Sequence, residues 1–394
     1  MKILILTRDG TALGLAQRLA QEGHQVEVFS DTLTLTHTGS SIYAISMNLW
    51  KSVQECKFIV TDTGNWEALY KRAATYNKPI IGCNEMTDML NKDYVREFKL
   101  GRKLGIKFPE TEIFSDAQGL QPRILGGKEL RHIIKHNRTT FVCSRQEWMA
   151  WAMYQLPIGE EVLLQKEVKG KELSIIGWFN GLTWVQPFFY ATPFSKETGA
   201  VAMLAQKKTN KLTKDTIEPL DKWLRTVDYK GAVTVHLVIE DATNEVYVDR
   251  FEVGLTAPCI FAMMEGIRLP LSEFLNSLAF GSASEIDASL DYLLGIEVRN
   301  RDAGMYGAPI LGLEEENLKH VFLQGVYKDA DSYLISGEAA PIYTAVARGQ
   351  DIREAARRVY RTIDQVQFPR MHFLPNITGQ SMATFQNLKS WSAI

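Results

Sequence analysis

Two lysines stand at the ends of separate elements. Lys92, in Asn91-Lys92-Asp93, opens a helical stretch, and Lys135 ends the apolar run HIIK (132–135). Ammonium groups placed in this way can converge on a polyphosphate, each acting as a point charge. Between and beyond them lies Glu161–Ser174 (EVLLQKEVKGKELS), in which a strand runs into a turn at Lys169-Gly170 and a second strand follows. Further on, VYVDRFEVG carries Asp249, Arg250 and Glu252 near a strand end. Mg²⁺ takes hard oxygen ligands, commonly one or two carboxylates with phosphate oxygens, and Asp249 and Glu252 suffice in principle. A plainer reading stands beside each of these: solvated lysines, a two-stranded hairpin with solvent-facing Lys and Glu, and an exposed Asp249–Arg250 pair. No Ser-His-Asp or Cys-His arrangement supplies a side-chain nucleophile.

The elements that must position these groups change style along the chain. Lys2–Leu6 reads as a buried strand, Gln25–Phe29 as the second strand, and Phe58–Thr61 and Pro79–Gly82 as two more short apolar runs. Helical stretches at Ala12–Gln21 and Asn65–Tyr76 lie between them, with Leu13, Leu15, Ala16 and Leu19 on one face of the first. Strand–helix alternation of this kind predicts a doubly wound parallel sheet, with Thr7–Gly14 and Asp62–Trp66 lining a crevice at its carboxyl end. The Gly10-x-x-x-Gly14 spacing is not G-x-G-x-x-G and no acidic residue ends the second strand, which argues against NAD. A helix is expected over Lys92–Leu104. Strands follow at 132–135, 161–166 and 173–179, the last two read as joined through Lys169-Gly170, and then at Val233–Glu240 and Glu245–Phe251. After about residue 290 come Gly-containing turns and an amphipathic helix at Asp351–Val366.

Composition bounds the rest. The 394 residues are enough for two to four domains at roughly 100–200 residues each. The 45% hydrophobic and 23% charged content is globular, which excludes a disordered or collagenous chain. Lys+Arg number 44 against Asp+Glu 46, a net charge of −2, so no basic surplus points to nucleic acid. Four scattered cysteines (Cys56, Cys83, Cys143, Cys259) lack C-x-x-C spacing, which argues against zinc and disulfides and suits a reducing, cytoplasmic setting. No apolar run reaches the ~18 residues of a membrane span, and the start MKILILTRDG is too short for a signal core.

The segment Glu161–Ser174 resembles the nucleotide hinge of ATP-grasp enzymes: an apolar strand, two polar residues, two apolar ones, a glycine turn, then Glu. The resemblance implies that Gln165 and Val168 face adenine, that Lys166 lies alongside it and that Glu172 holds the ribose hydroxyls. Lys92 and Lys135 fall in order where that family places its phosphate lysines. Its glycine-rich lid loop is here His136-Asn-Arg-Thr-Thr140, where Arg138 and the threonine hydroxyls stand in place of glycine N–H donors. For magnesium, the family carries an acid on one strand and E-x-N on the next, thirteen positions apart in some members. That spacing joins His236 to Asp249, puts Phe251 at the Asn, and makes Glu252 the substitute ligand if the strand is bulged.

The whole chain is similar to the glycinamide ribonucleotide synthetase (phosphoribosylamine–glycine ligase) family. The opening KILIL, Ile80-Ile81-Gly82 ahead of Lys92, and the tail from Gly307 through ISGEAAPIYTAVARGQDIREAARRVYRTIDQVQF follow its layout. The implied architecture is α/β: a pre-ATP-grasp domain of doubly wound parallel sheet (1–90), an ATP-grasp domain (91–290, lid about 118–178) and a small α+β domain (291–394). The implied activity is an ATP- and Mg²⁺-dependent carboxylate–amine ligase of purine-biosynthesis type, monomeric or homodimeric, acting on small molecules through an acyl phosphate, with Arg250 neutralising the substrate carboxylate or the transferred phosphoryl group. The family's substrate motifs are replaced at Thr7–Gly14, Asp62–Trp66, Lys196–Met203 and Glu252–Pro258, which implies an altered acceptor. Two other readings stay open: an ATP-binding protein of the same fold without catalysis, and a dinucleotide-dependent oxidoreductase using only the first sheet.

Overall fold

The computed structural model describes residues 1–394 except 33–36, 63, 127–130, 138, 145–158, 194–198, 208, 290, 302–304, 338–340 and 391–394. Arg138 and the first part of the segment 196–203 therefore lie outside the described residues.

The chain begins with a five-stranded parallel sheet. Lys2–Leu6 sits between Gln25–Phe29 and Phe58–Thr61, with Ala44–Ile45 and Ile80–Ile81 at the edges. A strand covered on both faces needs no polar alternation, which is why KILIL can read as one apolar run. Ile3 and Ile5 pack with Leu13, Leu15 and Leu19 of the helix Leu13–Gln21. Leu4 and Leu6 face the other way, onto Val53, Leu69 and Tyr70 of the helices Leu49–Glu55 and Glu67–Thr75. The doubly wound sheet is as expected, with shifted helix ends. Asn65 lies at φ 70, in the left-handed region, so the second helix cannot begin until Glu67. The helix expected over Lys92–Leu104 starts at Tyr94, because Asp93 is extended and its carboxylate accepts from the Val95 and Arg96 N–H groups as an N-cap; Lys92 instead ends the preceding helix, Glu85–Asn91.

The second sheet has nine strands. Its main path runs Val246–Val253, Lys230–Glu240, Gly170–Asn180, Trp184–Ala191, Ala200–Gln206, Tyr292–Asn300, Tyr343–Gly349, Val321–Leu323, with neighbours antiparallel, and Met371–His372 adds to Tyr292–Asn300. The section after residue 290 thus contributes strands to the sheet begun at residue 170. A four-stranded antiparallel sheet, Thr111–Phe114, Val162–Gln165, Arg131–His136, Thr139–Ser144, stands apart.

The two strands expected to form a hairpin through Lys169-Gly170 belong to different sheets. Val162–Gln165 ends in the small sheet, Gly170–Asn180 opens the large one, and Lys166–Lys169 crosses between them. Strand alternation alone does not reveal a change of sheet. Gly170 is dictated by a close approach: a Cβ there would stand 2.0 Å from the Ile239 carbonyl oxygen. Gly170→Ala must therefore push Lys230–Glu240 away from its neighbour. Its expected cost is about 2–3 kcal/mol, read as a lowered denaturation midpoint, with loss of any ligand bound at the crossing.

Candidate functional site

One face of the large sheet carries Ile175, Val233, Val235, Leu237, Val248 and Phe251, all buried in a single apolar cluster. On the opposite face Ile176 and Trp178 are buried against a second cluster, but the strand turns polar at Ser174 and Glu172. Cross-strand pairing extends the polar stripe: Ser174 lies opposite His236, and His236 opposite Arg250. The register slips between His236 and Leu237, which pair with Arg250 and Val248, so Asp249 is the extra residue of a bulge. The condition set for Glu252 as a substitute ligand, a bulged strand, is met, and the bulge sets Asp249 beside Arg250 and Glu252.

These side chains are linked to one another. The Lys135 ammonium, 2% exposed, donates to Asp249 Oδ1 at 2.6 Å and to the Asp249 carbonyl oxygen at 2.7 Å. It also lies 5.2 Å from the Tyr94 ring centroid. Arg250 donates from Nη1 to Asp249 Oδ2 at 3.1 Å and from Nε to Glu252 Oε1 at 3.2 Å. His236 Nε2 is 3.5 Å from Glu252 Oε1, and its Nδ1 is 2.9 Å from Ser174 Oγ. Burial works against the charge on Asp249, but Lys135 and Arg250 together overcome it and hold the carboxyl below its ordinary range. Burial likewise opposes the Arg250 charge, and Glu252 and Asp249 overcome it, raising the guanidinium above its usual value. A lysine from the small sheet thus meets an ionised set on the large one.

The crossing segment borders the same region. Gln165 is buried and donates from Nε2 to Thr111 Oγ1 at 3.2 Å. Lys166 is exposed; its backbone N–H donates to the Glu110 carbonyl at 2.8 Å. Val168 is half-buried, and among the described residues neither its N–H nor its carbonyl takes a backbone hydrogen bond. Glu172 is exposed on the strand face shared with Ser174. Lys92 has a separate partner: its ammonium pairs with Asp88 Oδ2 at 3.1 Å, and Asp88 also accepts the Asn65 N–H beside the parallel sheet. Lys135, Asp249, Arg250 and Glu252 are brought together, and Lys92 belongs to the neighbouring crevice.

Tyr94 and Glu97 were missed in the sequence. Both lie on the helix Tyr94–Lys103, and the buried Glu97 accepts the Phe251 N–H at 2.6 Å. Their i,i+3 spacing on one helix face was the available signal. Another pairing supports the turn of the small sheet, where His136 Nε2 lies 2.7 Å from Glu160 Oε2.

The crevice at the carboxyl end of the parallel sheet holds a second polar group. Arg8 binds Asp31 with Nε at 2.9 Å and Nη2 at 2.6 Å, donates to the Gly64 carbonyl, and stacks 4.3 Å from the Trp66 ring centroid. Buried Asp62 accepts from the Thr7 hydroxyl and from the Ala12 N–H at 3.2 Å. Burial, reinforced by Asp9, pushes its carboxyl up to about 7 against the pull of those hydrogen bonds. Between the unfolded value near 3.8 and about 7, the folded chain holds a proton that the unfolded chain has lost, so this group removes stability as pH rises. Asp62→Asn is therefore expected to gain thermal stability relative to the parent progressively from pH 4 to pH 7 and to level off above; paired melting curves check it.

The carboxylate oxygens at this site already have partners. Both Asp249 oxygens and Glu252 Oε1 are engaged by Lys135, Arg250 and His236. Among the described residues no group of three or more His, Cys, Asp and Glu side chains is placed to hold a metal ion. The register explains it: the face positions beside His236 are Arg250 and, two on, Glu252, whereas Phe251 points into the apolar core. The expected pair Asp249 and Glu252 is adjacent, but it does not fit Mg²⁺ in this arrangement.

No helix among the described residues is long and apolar enough to cross a membrane. No family model and no curated protein matches the sequence. Solved structures do match in fold. Phosphoribosylamine–glycine ligase from Thermotoga maritima superposes with a TM-score of 0.71 at 18% identity, covering 95% of this chain and 99% of its own. Biotin carboxylase from Campylobacter jejuni, in complex with β-γ-ATP, gives 0.68 at 13% identity over 98% and 96% of the two chains. N5-carboxyaminoimidazole ribonucleotide synthetase from Thermotoga maritima gives 0.64 at 14% over 93% and 99%. These are ATP-grasp enzymes, and the chain shares their fold.

Proposed function

We propose, from the ATP-grasp architecture, that this chain is an ATP-dependent carboxylate–amine ligase whose nucleotide lies between the small and large sheets. The observation that carries the reading is the meeting of Lys135, on the strand paired with Val162–Gln165, with Asp249, Arg250 and Glu252 of the large sheet. Adenine needs one donor and one acceptor in a fixed plane, and the Val168 backbone offers both. Gln165 and Lys166 border the ring, and Glu172 takes the ribose hydroxyls. Phosphates then extend toward Lys135 and Arg250, where the Arg250 guanidinium spends Nε and Nη1 on Glu252 and Asp249 and presents Nη2 to an anion. Lys92 lies at the junction with the crevice, beside the reacting end.

In the reaction, a carboxylate oxygen of a small amino acid attacks the γ-phosphorus and the bond to the β-phosphate oxygen breaks, giving acyl phosphate and ADP. An amine nitrogen then attacks the acyl carbon. Inorganic phosphate leaves with its bonding pair, and the ammonium proton passes to solvent. The chain contributes positioning and charge: Arg250 faces the transferred phosphoryl group or the carboxylate.

The amine sits in the crevice of the parallel sheet. Arg8 there pairs with Asp31 and Lys92 with Asp88. An ADP-release screen of twenty amino acids against phosphoribosylamine and a panel of aminated nucleosides tests the proposal. Turnover with an aminated acceptor, abolished by Asp249→Ala, is expected. Tight ATP binding with no turnover on any pair favours a binding protein instead, a reading supported by the neutralised carboxylates. Glycine with phosphoribosylamine as the best pair removes the altered acceptor.

A further inference from the structure

We propose that Arg250 and Lys135 replace a divalent cation at the phosphates, so that this cleft binds a nucleoside triphosphate without metal. The inference rests on the nucleotide reading above and adds to it the source of positive charge.

The strand register is the cause. The bulge at Asp249 leaves Arg250, a cation, opposite His236 on the ligand-facing side of the sheet. A magnesium ion there would need carboxylate oxygens, yet Asp249 Oδ1 lies 2.6 Å from Lys135 and its Oδ2 lies 3.1 Å from Arg250. Both cations would have to withdraw. Lys135 has nowhere to go, since its side chain is 2% exposed and its ammonium is fixed by Asp249 and by the Tyr94 ring. His236, the cross-strand partner, brings nitrogen rather than oxygen, with Nδ1 already against Ser174.

The same geometry offers an anion something to bind. Arg250 uses Nη1 and Nε on its two carboxylates, and no hydrogen bond among the described residues uses Nη2. With two carboxylates already balanced by two cations, an incoming triphosphate meets a planar donor fork instead of bare acidic oxygens. A guanidinium is always charged and needs no dehydration of a hexa-aquo ion to reach phosphate oxygen. Tyr94 and Glu97 brace the arrangement from beneath, Tyr94 through Lys135 and Glu97 through the Phe251 N–H.

Calorimetric titration of the full chain with ATP and with ADP, in magnesium chloride and in EDTA, tests this. Affinities in the two media are expected to agree within about threefold. Arg250→Ala is expected to weaken binding in EDTA by about tenfold or more, and Arg250→Lys, which keeps the charge without the fork, to fall between. Magnesium tightening the parent by about tenfold or more, or Arg250→Ala binding as the parent does, overturns the inference and leaves the nucleotide reading standing. No binding in either medium overturns both. Should Arg250→Ala fail to fold, the parent comparison and Arg250→Lys still decide it.

Discussion

Lys135→Ala is expected to lower stability by about 3 kcal/mol and to weaken ATP binding by about tenfold or more. The side chain is a cation that crosses from the small sheet to the large one and is almost fully buried on arrival. Removing it leaves Asp249 with Arg250 alone and opens a void beside Tyr94. Lys135→Met separates the two contributions: it restores most of the packing, so a binding defect that persists belongs to the lost charge. Acid should act on the same contact. Because Lys135 holds the Asp249 carboxyl below its ordinary value, the stability it contributes is complete above the unfolded value near 3.8 and is lost as pH falls below it. In Lys135→Met that portion of the acid-sensitivity should shrink. Thermal melts from pH 2 to pH 6 and calorimetric titration at neutral pH check both halves.

Gly82→Ala should be strongly damaging although it lies outside the cleft, costing about 3 kcal/mol or more. Gly82 sits at φ 108, and a Cβ there would lie 2.1 Å from the Thr61 carbonyl oxygen. Its N–H donates to the Lys230 carbonyl at 2.8 Å, the point where the last parallel strand meets the large sheet. Strain at this residue therefore reaches both the crevice and the start of Lys230–Glu240. A strongly lowered melting temperature, or insoluble protein, is expected from expression and melting of the variant.

Much of the architecture was legible because burial on both faces writes itself into a strand as an uninterrupted apolar run. Lys2–Leu6 and Phe58–Thr61 begin and end where their sequences say, and Gln25–Phe29, which alternates, does so as well. The hinge was legible as a segment and misread as a hairpin, since nothing in EVLLQKEVKGKELS tells which partner each strand takes. The carboxylates and lysines were found by type and order, but their mutual geometry was not. A single-residue bulge changed which side chains face the ligand, exchanging the Asp249-x-Phe251 alignment for Arg250-x-Glu252. Such a slip follows from pairing between strands and leaves no local trace in composition. Tyr94 and Glu97 escaped for a related reason: their partners, Lys135 and Phe251, are more than thirty residues away.

A crystal structure of the full chain grown with a non-hydrolysable ATP analogue tests the central claim most directly. The purine is expected against the backbone of Lys166–Lys169, with the terminal phosphates within hydrogen-bonding reach of Arg250 and Lys135. A nucleotide seated elsewhere, or one whose phosphates point away from both side chains, contradicts it.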